Sequence, residues 1–311
     1  MQDGFVEVNS VPSHVYTWGQ WIEDKFDPKT KDLVLIVTGN PGLPGFYTKF
    51  GTTLHDELDK EVPVWVIGQA GHDEPKKDLA MRTPPLNGNE HLYDLEGQLK
   101  HKIEFIDRFI PRDVNVYLIG HSVGAKLCLD LLRHHKEFSN QVQHAYLMFP
   151  TIEKIAQSEK GVKVPTWDRY FFFLRAFYNM FHMIPSSWKR AIIRWQIGKQ
   201  GVSEEFLPAS LEYTNPRVID RIWFLCLDEM KVIVDLDEET VKDNMHRLKL
   251  YYGAKDHWVK TEFYHDLVAR FPGIDAELCK NGYEHAFCLN ASQEVGKMVS
   301  EWINQKRQVQ S

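Results

Sequence analysis

Ser122 lies in Gly120-His121-Ser122-Val123-Gly124, between an apolar run that starts at Val116 and a helical pattern with Val123, Leu127 and Leu131 on one side. Strand, Gly-x-Ser-x-Gly and helix in that order make a nucleophile elbow, a sharp turn that lifts the serine clear of a sheet. The glycines two before and two after it leave room for strand and helix to pass closely. The turn also aims the helix N-terminus, with its unbonded N–H groups, at the reacting atom. A serine hydroxyl is a poor nucleophile at neutral pH, so it needs a base within reach and a third group to orient that base. An elbow of this kind fixes the chain order as serine, acid, histidine, with the last two on loops at strand ends. Asp256 directly follows the apolar run Leu248–Gly253 and stands in the acid's place. A plain turn aspartate is the bland alternative. Asp228, Asp235 and Asp237 compete with it but fall in a region without strand pattern. Among 14 histidines, His285 alone sits in a loop after the last apolar run and just before a terminal helical pattern. His257 and His265, close behind the acid, are poorer candidates for the base.

Acyl transfer also needs two N–H donors facing the developing oxyanion. Val123, next after the serine, should supply one. The other should come from the loop after an earlier strand, Gly39-Asn40-Pro41-Gly42. Pro41 has no N–H, so Asn40 is the better candidate, with Gly42 or Leu43 as fallback. Serine rather than aspartate at the elbow points to a seryl ester. There is no G-x-x-x-x-G-K-[ST] run, no H-E-x-x-H and no Cys/His cluster, so neither P-loop nor metal chemistry is indicated and no cofactor is expected.

The elements that must position these residues follow in order. Residues 5–20 read as an antiparallel hairpin or edge strands. Asp32–Thr38, Val62–Ile67, the elbow strand, Val142–Phe149 and Leu248–Gly253 read as strands, several of them continuous apolar runs of the kind covered on both faces. A helix carrying Phe46, Phe50, Leu54 and Leu58 follows the first of these, and Leu92 to Phe109 has helical period. The stretch 73–90, rich in proline, is a loop. After Asp256 come a helix near 261–270, a strand at Ala276–Cys279 and a last helix from about 293 to 305. Alternation of this kind gives an α/β chain with a mostly parallel sheet flanked by helices. From 151 to 245 the alternation stops and helical pieces take over. The expected organisation is a core from 1–150 and 246–311 around a helical cap insertion, 151–245.

With 311 residues, 43% hydrophobic and 26% charged, the chain is an ordinary globular protein, and its net charge of −6 gives no reason to expect nucleic acid. Cys128, Cys226, Cys279 and Cys288 have no metal-ligand spacing and read as buried free thiols in a reducing compartment. The N-terminus lacks the basic and apolar regions of a secretory signal, which makes Asn290-Ala-Ser292 a chance sequon. No run reaches the roughly 20 apolar residues of a membrane span, so a cytosol-facing protein is expected.

Several blocks together resemble a known family: Ile36–Tyr47 with its Gly-Asn-Pro-Gly, Gly68-Gln-Ala-Gly-His72, Leu118–Gly124, Met148-Phe-Pro-Thr-Ile-Glu153, Tyr251–Trp258 and His285-Ala-Phe287. From about residue 33 to 300 the chain is similar to the lipid droplet-associated hydrolases. The resemblance implies an α/β-hydrolase with Ser122 as nucleophile, Asp256 as acid and His285 as base. It also implies residence on lipid droplets and the endoplasmic reticulum, with ester lipids as substrates. The family's histidine is commonly preceded by proline, where this chain has Glu284, an added carboxylate beside the base. A rival expectation is a droplet-surface protein that turns over little and acts by binding membranes or proteins.

The insertion bears on that choice. Phe171, Phe172, Phe173, Phe177, Trp188 and Trp195 are crowded between 167 and 195, and from Lys163 to Lys199 there are seven Lys/Arg against one acid, Asp168. In an acidic protein such a basic, aromatic stretch suits helices lying in a lipid interface. The alternative is a cap with its rings packed inward over the site. The resemblance favours lipid contact and makes these six the expected membrane-facing residues.

Overall fold

The computed structural model describes residues 1–27, 29–76 and 79–310. Its strands are β1 (Gln2–Val8), β2 (Val11–Trp18), β3 (Asp32–Val37), β4 (Val64–Ile67), β5 (Asn115–His121), β6 (Val142–Met148), β7 (Leu248–Gly253) and β8 (Asp275–Cys279). The helices are α1 (Thr48–Glu57), α2 (Leu95–Phe109), α3 (Val123–His134), α4 (Lys136–Gln141), α5 (Val164–Met183) and α6 (Ser186–Lys199). They continue as α7 (Leu207–Tyr213), α8 (Pro216–Val232), α9 (Glu238–Asn244), α10 (Thr261–Arg270), α11 (Phe287–Asn290) and α12 (Ser292–Gln310). The strands form one sheet in the order β1-β2-β4-β3-β5-β6-β7-β8. The hairpin β1–β2 joins antiparallel to β4, and every pairing from β4 to β8 is parallel.

Parallel strands need helical crossovers, and these cover both faces of the sheet. Successive residues of β3 show the consequence. Leu33, Leu35 and Val37 pack with Phe105 of α2, Leu127 of α3 and Leu267 of α10. Val34 and Ile36 turn the other way, onto Phe50 of α1 and Val295, Val299 and Ile303 of α12. A strand buried on two sides has no polar register, which is why these segments read as unbroken apolar runs.

Boundaries moved where a local signal was stronger than periodicity. Helix α2 begins at Leu95 rather than Leu92, because the Asp94 side chain accepts from Gly97 N–H at 2.7 Å and sets the N-cap. Strand β4 begins after Pro63, which has no N–H to offer a ladder. Phe46 falls in a short 3₁₀ turn (Pro44–Tyr47) ahead of α1. The last helix runs longer than expected, to Gln310. Within the expected loop 73–90, residues 77 and 78 lie outside the described residues. The chain between β6 and β7 is helical, carrying α5 to α9, and β7 returns to pair with β6.

Candidate active site

Strand β5 ends at His121 and α3 starts at Val123, leaving Ser122 alone on the turn at φ 56° and ψ −124°. That conformation is rare for a residue with a Cβ and persists only where the surroundings impose it. Two glycines permit it. A Cβ on Gly124 would stand 2.3 Å from the Val37 carbonyl oxygen, and one on Gly120 would stand 2.6 Å from the Gly124 carbonyl oxygen. The turn is tied down by Ser122 N–H donating to Met148 O at 3.0 Å.

The structure brings the three expected residues together. His285 Nε2 lies 2.8 Å from Ser122 Oγ, and His285 Nδ1 lies 2.6 Å from Asp256 Oδ2. Asp256 stands just past β7 with its carboxylate fully buried. Its other oxygen accepts from the N–H groups of Trp258 (2.7 Å) and Val259 (3.1 Å), so the group is fixed by its own loop. A carboxylate accepts only, which puts the imidazole proton on Nδ1 and leaves Nε2 bare toward the serine hydroxyl.

The competitors have other employment. Asp228 accepts from Leu95 N–H, Asp237 caps α9 and pairs with Arg133, and Asp235 is exposed. His257 pairs with Glu159 at the surface, and His265 is exposed on α10. Glu284 is exposed and lines the outer cavity beside His285, and its carboxylate accepts from Asn290 Nδ2 at 3.3 Å.

Sequence reasoning missed His121. It is buried, with Nε2 2.8 Å from the backbone oxygen of His285 and Nδ1 2.6 Å from the Tyr47 hydroxyl. Burial, helped by the nearby His285, pushes its pKa down to about 3, so the ring is neutral. The His285 carbonyl can only accept, so Nε2 carries the proton and Nδ1 accepts from the Tyr47 O–H. Tyr47 oxygen in turn accepts from Gly39 N–H at 2.9 Å. One directed chain of hydrogen bonds thus joins the loop after β3, the elbow and the histidine loop. Its only sequence signal was a histidine inside the elbow motif itself.

The loop after β3 is held from behind. Gln69 donates from Nε2 to Thr38 O at 2.6 Å, and its N–H donates to Gly42 O at 3.0 Å. Buried Lys102 donates to Gln69 Oε1 at 3.0 Å. Gly42 N–H is taken by His72 Nδ1 at 2.9 Å, which removes Gly42 from the fallback oxyanion donors. Asn40, joined to Pro41 by a cis peptide bond, keeps its side chain engaged with helix α8: Nδ2 donates to Ile222 O at 3.1 Å and to Glu229 Oε1 at 2.8 Å. Val123 is the first residue of α3, so its N–H has no carbonyl a turn back within the helix.

Two cavities meet here. An outer one of about 630 Å³ is lined by His285, His121, Tyr47 and the polar Lys160, Lys255 and Gln200. An inner one of about 170 Å³ is lined by Ser122, Trp167, Trp223 and Trp258. Asn40, Pro41, Tyr213, Trp258 and His285 belong to both. A third cavity, about 660 Å³ and flanked by Arg175, Arg217 and Arg221, shares no lining residue with them.

Residues 30–288 match the family described as lipid-droplet associated hydrolase. The chain belongs to this family. A lipid droplet-associated hydrolase of Drosophila melanogaster is 40% identical over 99% of this chain and 100% of its own. Its namesake in Mus musculus is 34% identical over 98% and 96%. Among solved structures, a serine hydrolase of Cycloclasticus zankles has a TM-score of 0.62 at 14% identity, covering 97% of this chain and 98% of its own. An inhibitor-bound epoxide hydrolase of Bacillus megaterium has a TM-score of 0.62 at 14% identity, covering 97% and 100%. The likeness places this family member in the α/β-hydrolase fold.

Helices α5 and α6 of this family member present most of the aromatic stretch outward. Phe172 (71% exposed), Phe173 (68%), Trp188 (67%), Trp195 (64%) and Phe177 (58%) are open, and Tyr170, Met180 and Met183 join them. Phe171 is the exception to the expected set. It is half-buried and stacks on Trp223 of α8 with ring centroids 5.0 Å apart. Arg175 and Arg194 pair with Asp220 and Glu204, while Arg169 and Arg190 are exposed on the same two helices. Among the described residues no helix is long and apolar enough to cross a membrane.

Proposed function

We propose that this protein is a serine hydrolase that cleaves carboxylic esters of lipids at the surface of lipid droplets and the endoplasmic reticulum, from the cytosolic side. The observation that carries the reading is the pair of hydrogen bonds from His285 to Ser122 (2.8 Å) and to Asp256 (2.6 Å) at the head of a strained elbow. Ser122 Oγ attacks the acyl carbon as its proton passes to His285 Nε2, and Asp256 stabilises the imidazolium that forms. The oxyanion is met by the N–H groups of Val123 and Asn40. His285 then protonates the leaving alkoxide, and the acyl group stays on Ser122 until water, activated by the same histidine, releases it.

Lipid as the substrate class is supported by the name that the relatives carry and by the exposed rings of α5 and α6. Rings of that size at the interface, with arginines beside them, suit a helix pair seated among headgroups. In this reading Phe172, Phe173, Phe177, Trp188 and Trp195 contact lipid and Phe171 does not.

The test is labelling of the purified protein with a fluorophosphonate, which reports an activated serine without assuming a substrate. Wild type should label, and Ser122→Ala should not, with circular dichroism unchanged. In a related triad the loss of the serine costs roughly 10⁶ in kcat. Labelling that survives in Ser122→Ala would place the nucleophile elsewhere.

A further inference from the structure

The inner cavity has one wall residue that does not suit a plain hydrocarbon chain. Ile155, Ile222 and the rings of Trp167, Trp223 and Trp258 are what an apolar acyl group would meet. Glu229, projecting from α8, lines the same cavity and is itself buried. Among the described residues its carboxyl is met by a single hydrogen-bond donor, Asn40 Nδ2, 2.8 Å from Oε1. A carboxyl group has capacity for about four hydrogen bonds. Asn40 Oδ1 is likewise buried without a partner among the described residues. Polar capacity of this kind, shut into an aromatic wall, is costly unless something arrives to fill it.

The acyl part of an ester stays on Ser122 after the alcohol has left, so it is the part that occupies the Ser122-lined cavity. The outer cavity, whose lining does not include Ser122, is then left for the alcohol. We infer that the inner cavity takes an ester whose acyl chain bears a hydroxyl group, which hydrogen-bonds Glu229. The inference rests on Ser122 being the nucleophile. A hydroxyl both donates and accepts, so it fits the carboxylate and the carboxylic acid alike. Burial pushes the Glu229 pKa up to about 8, the Asn40 bond opposing this and Asp228 adding to it. At neutral pH the acid form therefore has an O–H to give. The cavity, about 170 Å³, is much the smaller of the two, and the 3-hydroxy and 6-hydroxy chains place the hydroxyl near to and far from the ester carbon within it. An unsubstituted chain entering the same space leaves the Glu229 carboxyl desolvated with Asn40 Nδ2 as its one hydrogen-bond donor, the arrangement by which sites disfavour an analogue that lacks a polar group.

The experiment compares p-nitrophenyl hexanoate with its 3-hydroxy and 6-hydroxy derivatives on wild type, Glu229→Gln and Glu229→Met. Wild type should prefer one hydroxylated ester by roughly 10-fold or more in kcat/KM. Glu229→Met should bring that ratio to one or below, and Glu229→Gln, still able to hydrogen-bond, should keep part of it. Loss of support for Asn40 slows all esters by a common factor and cancels in the ratio. Equal rates for all three esters on wild type, or a ratio that Glu229→Met leaves unchanged, would overturn the inference. If the protein labels with fluorophosphonate but hydrolyses none of the esters, labelling rates of hexyl and hydroxyhexyl fluorophosphonates give the same ratio. Absence of any labelling sinks the serine mechanism itself, and the inference with it.

Discussion

At the scale of single residues, the serine, acid and histidine are distant in sequence and adjacent in space, and each is held by something other than the other two. Ser122 is held by backbone geometry, Asp256 by two N–H groups of its own loop, and His285 through its carbonyl by His121. In the proposed mechanism His285 is the base, so His285→Ala should slow fluorophosphonate labelling severely; labelling at the wild-type rate would assign the base to another histidine. Among the described residues His121 has no hydrogen bond to Ser122 Oγ; it grips the His285 carbonyl, and its ring lies against the His285 ring with centroids 5.3 Å apart. His121→Leu leaves the His285 carbonyl without its donor and the Tyr47 O–H without its acceptor, a loss of about 1–3 kcal/mol. Labelling should slow roughly 10-fold as His285 drifts, and Tyr47→Phe, which removes only the next link, should show a smaller effect of the same kind. A melting temperature that falls while the labelling rate holds would make His121 a core residue only.

At the scale of elements, the strands were legible because burial on two faces writes an unbroken apolar run, and the elbow because its signal lies within five consecutive residues. Asp256 and His285 followed from chain order once the elbow was read. Their supports were not legible. His121, Tyr47, Gln69 and Glu229 are single polar residues whose partners lie on other elements, and no local pattern marks such a pairing. Phe171 was misread for a related reason. Consecutive residues of a helix point about 100° apart, so a run of three phenylalanines cannot share one face. The edge hairpin holds another unread cluster. His14 Nδ1 lies 2.5 Å from Asp73 Oδ2 and Nε2 lies 3.0 Å from Asp3 Oδ2. Burial opposes the charged imidazole, but the two carboxylates outweigh it and raise its pKa from 6.5 to about 9. The folded state therefore keeps a proton that the unfolded chain loses, and the contribution is full below pH 6.5 and lost as pH rises through 9. At about 1.4 kcal/mol per pKa unit this is on the order of 3 kcal/mol. Urea melts at pH 6 and pH 9.5 should show wild type losing more stability than His14→Gln across that interval. Equal losses would mean that the pair of carboxylates does not hold the proton.

At the scale of the whole molecule, the sheet and the helices between β6 and β7 divide the work. The loops after β3, β5, β7 and β8 bring Asn40, Ser122, Asp256 and His285 to one end of the sheet, the end where parallel α/β sheets bind their ligands. Helices α7 and α8 close over that end through Tyr213, Trp223 and Glu229, and α5 and α6 reach the cavities through Trp167 and Ile197 while presenting most of their rings outward. A lipid surface met by the outward rings of α5 and α6 would therefore lie beside the cavities without engaging Ser122, Asp256 or His285. Targeting and catalysis should then separate by mutation. Burying one phenylalanine or tryptophan contributes about 1.5–3 kcal/mol, and each arginine near an anionic surface adds about 1 kcal/mol. The combined change Phe172→Ser, Phe173→Ser and Trp188→Ser should weaken binding to vesicles of phosphatidylcholine and phosphatidylserine by at least about 100-fold, read by flotation. Its melting temperature should stay near wild type, because exposed side chains contribute little to the fold. Phe171→Ser alone should do the reverse, lowering the melting temperature through its lost stack on Trp223 while vesicle binding holds. Ser122→Ala should float as wild type does. If the triple variant floats with the vesicles at wild-type levels, α5 and α6 are not the docking face and the exposed rings await a different partner.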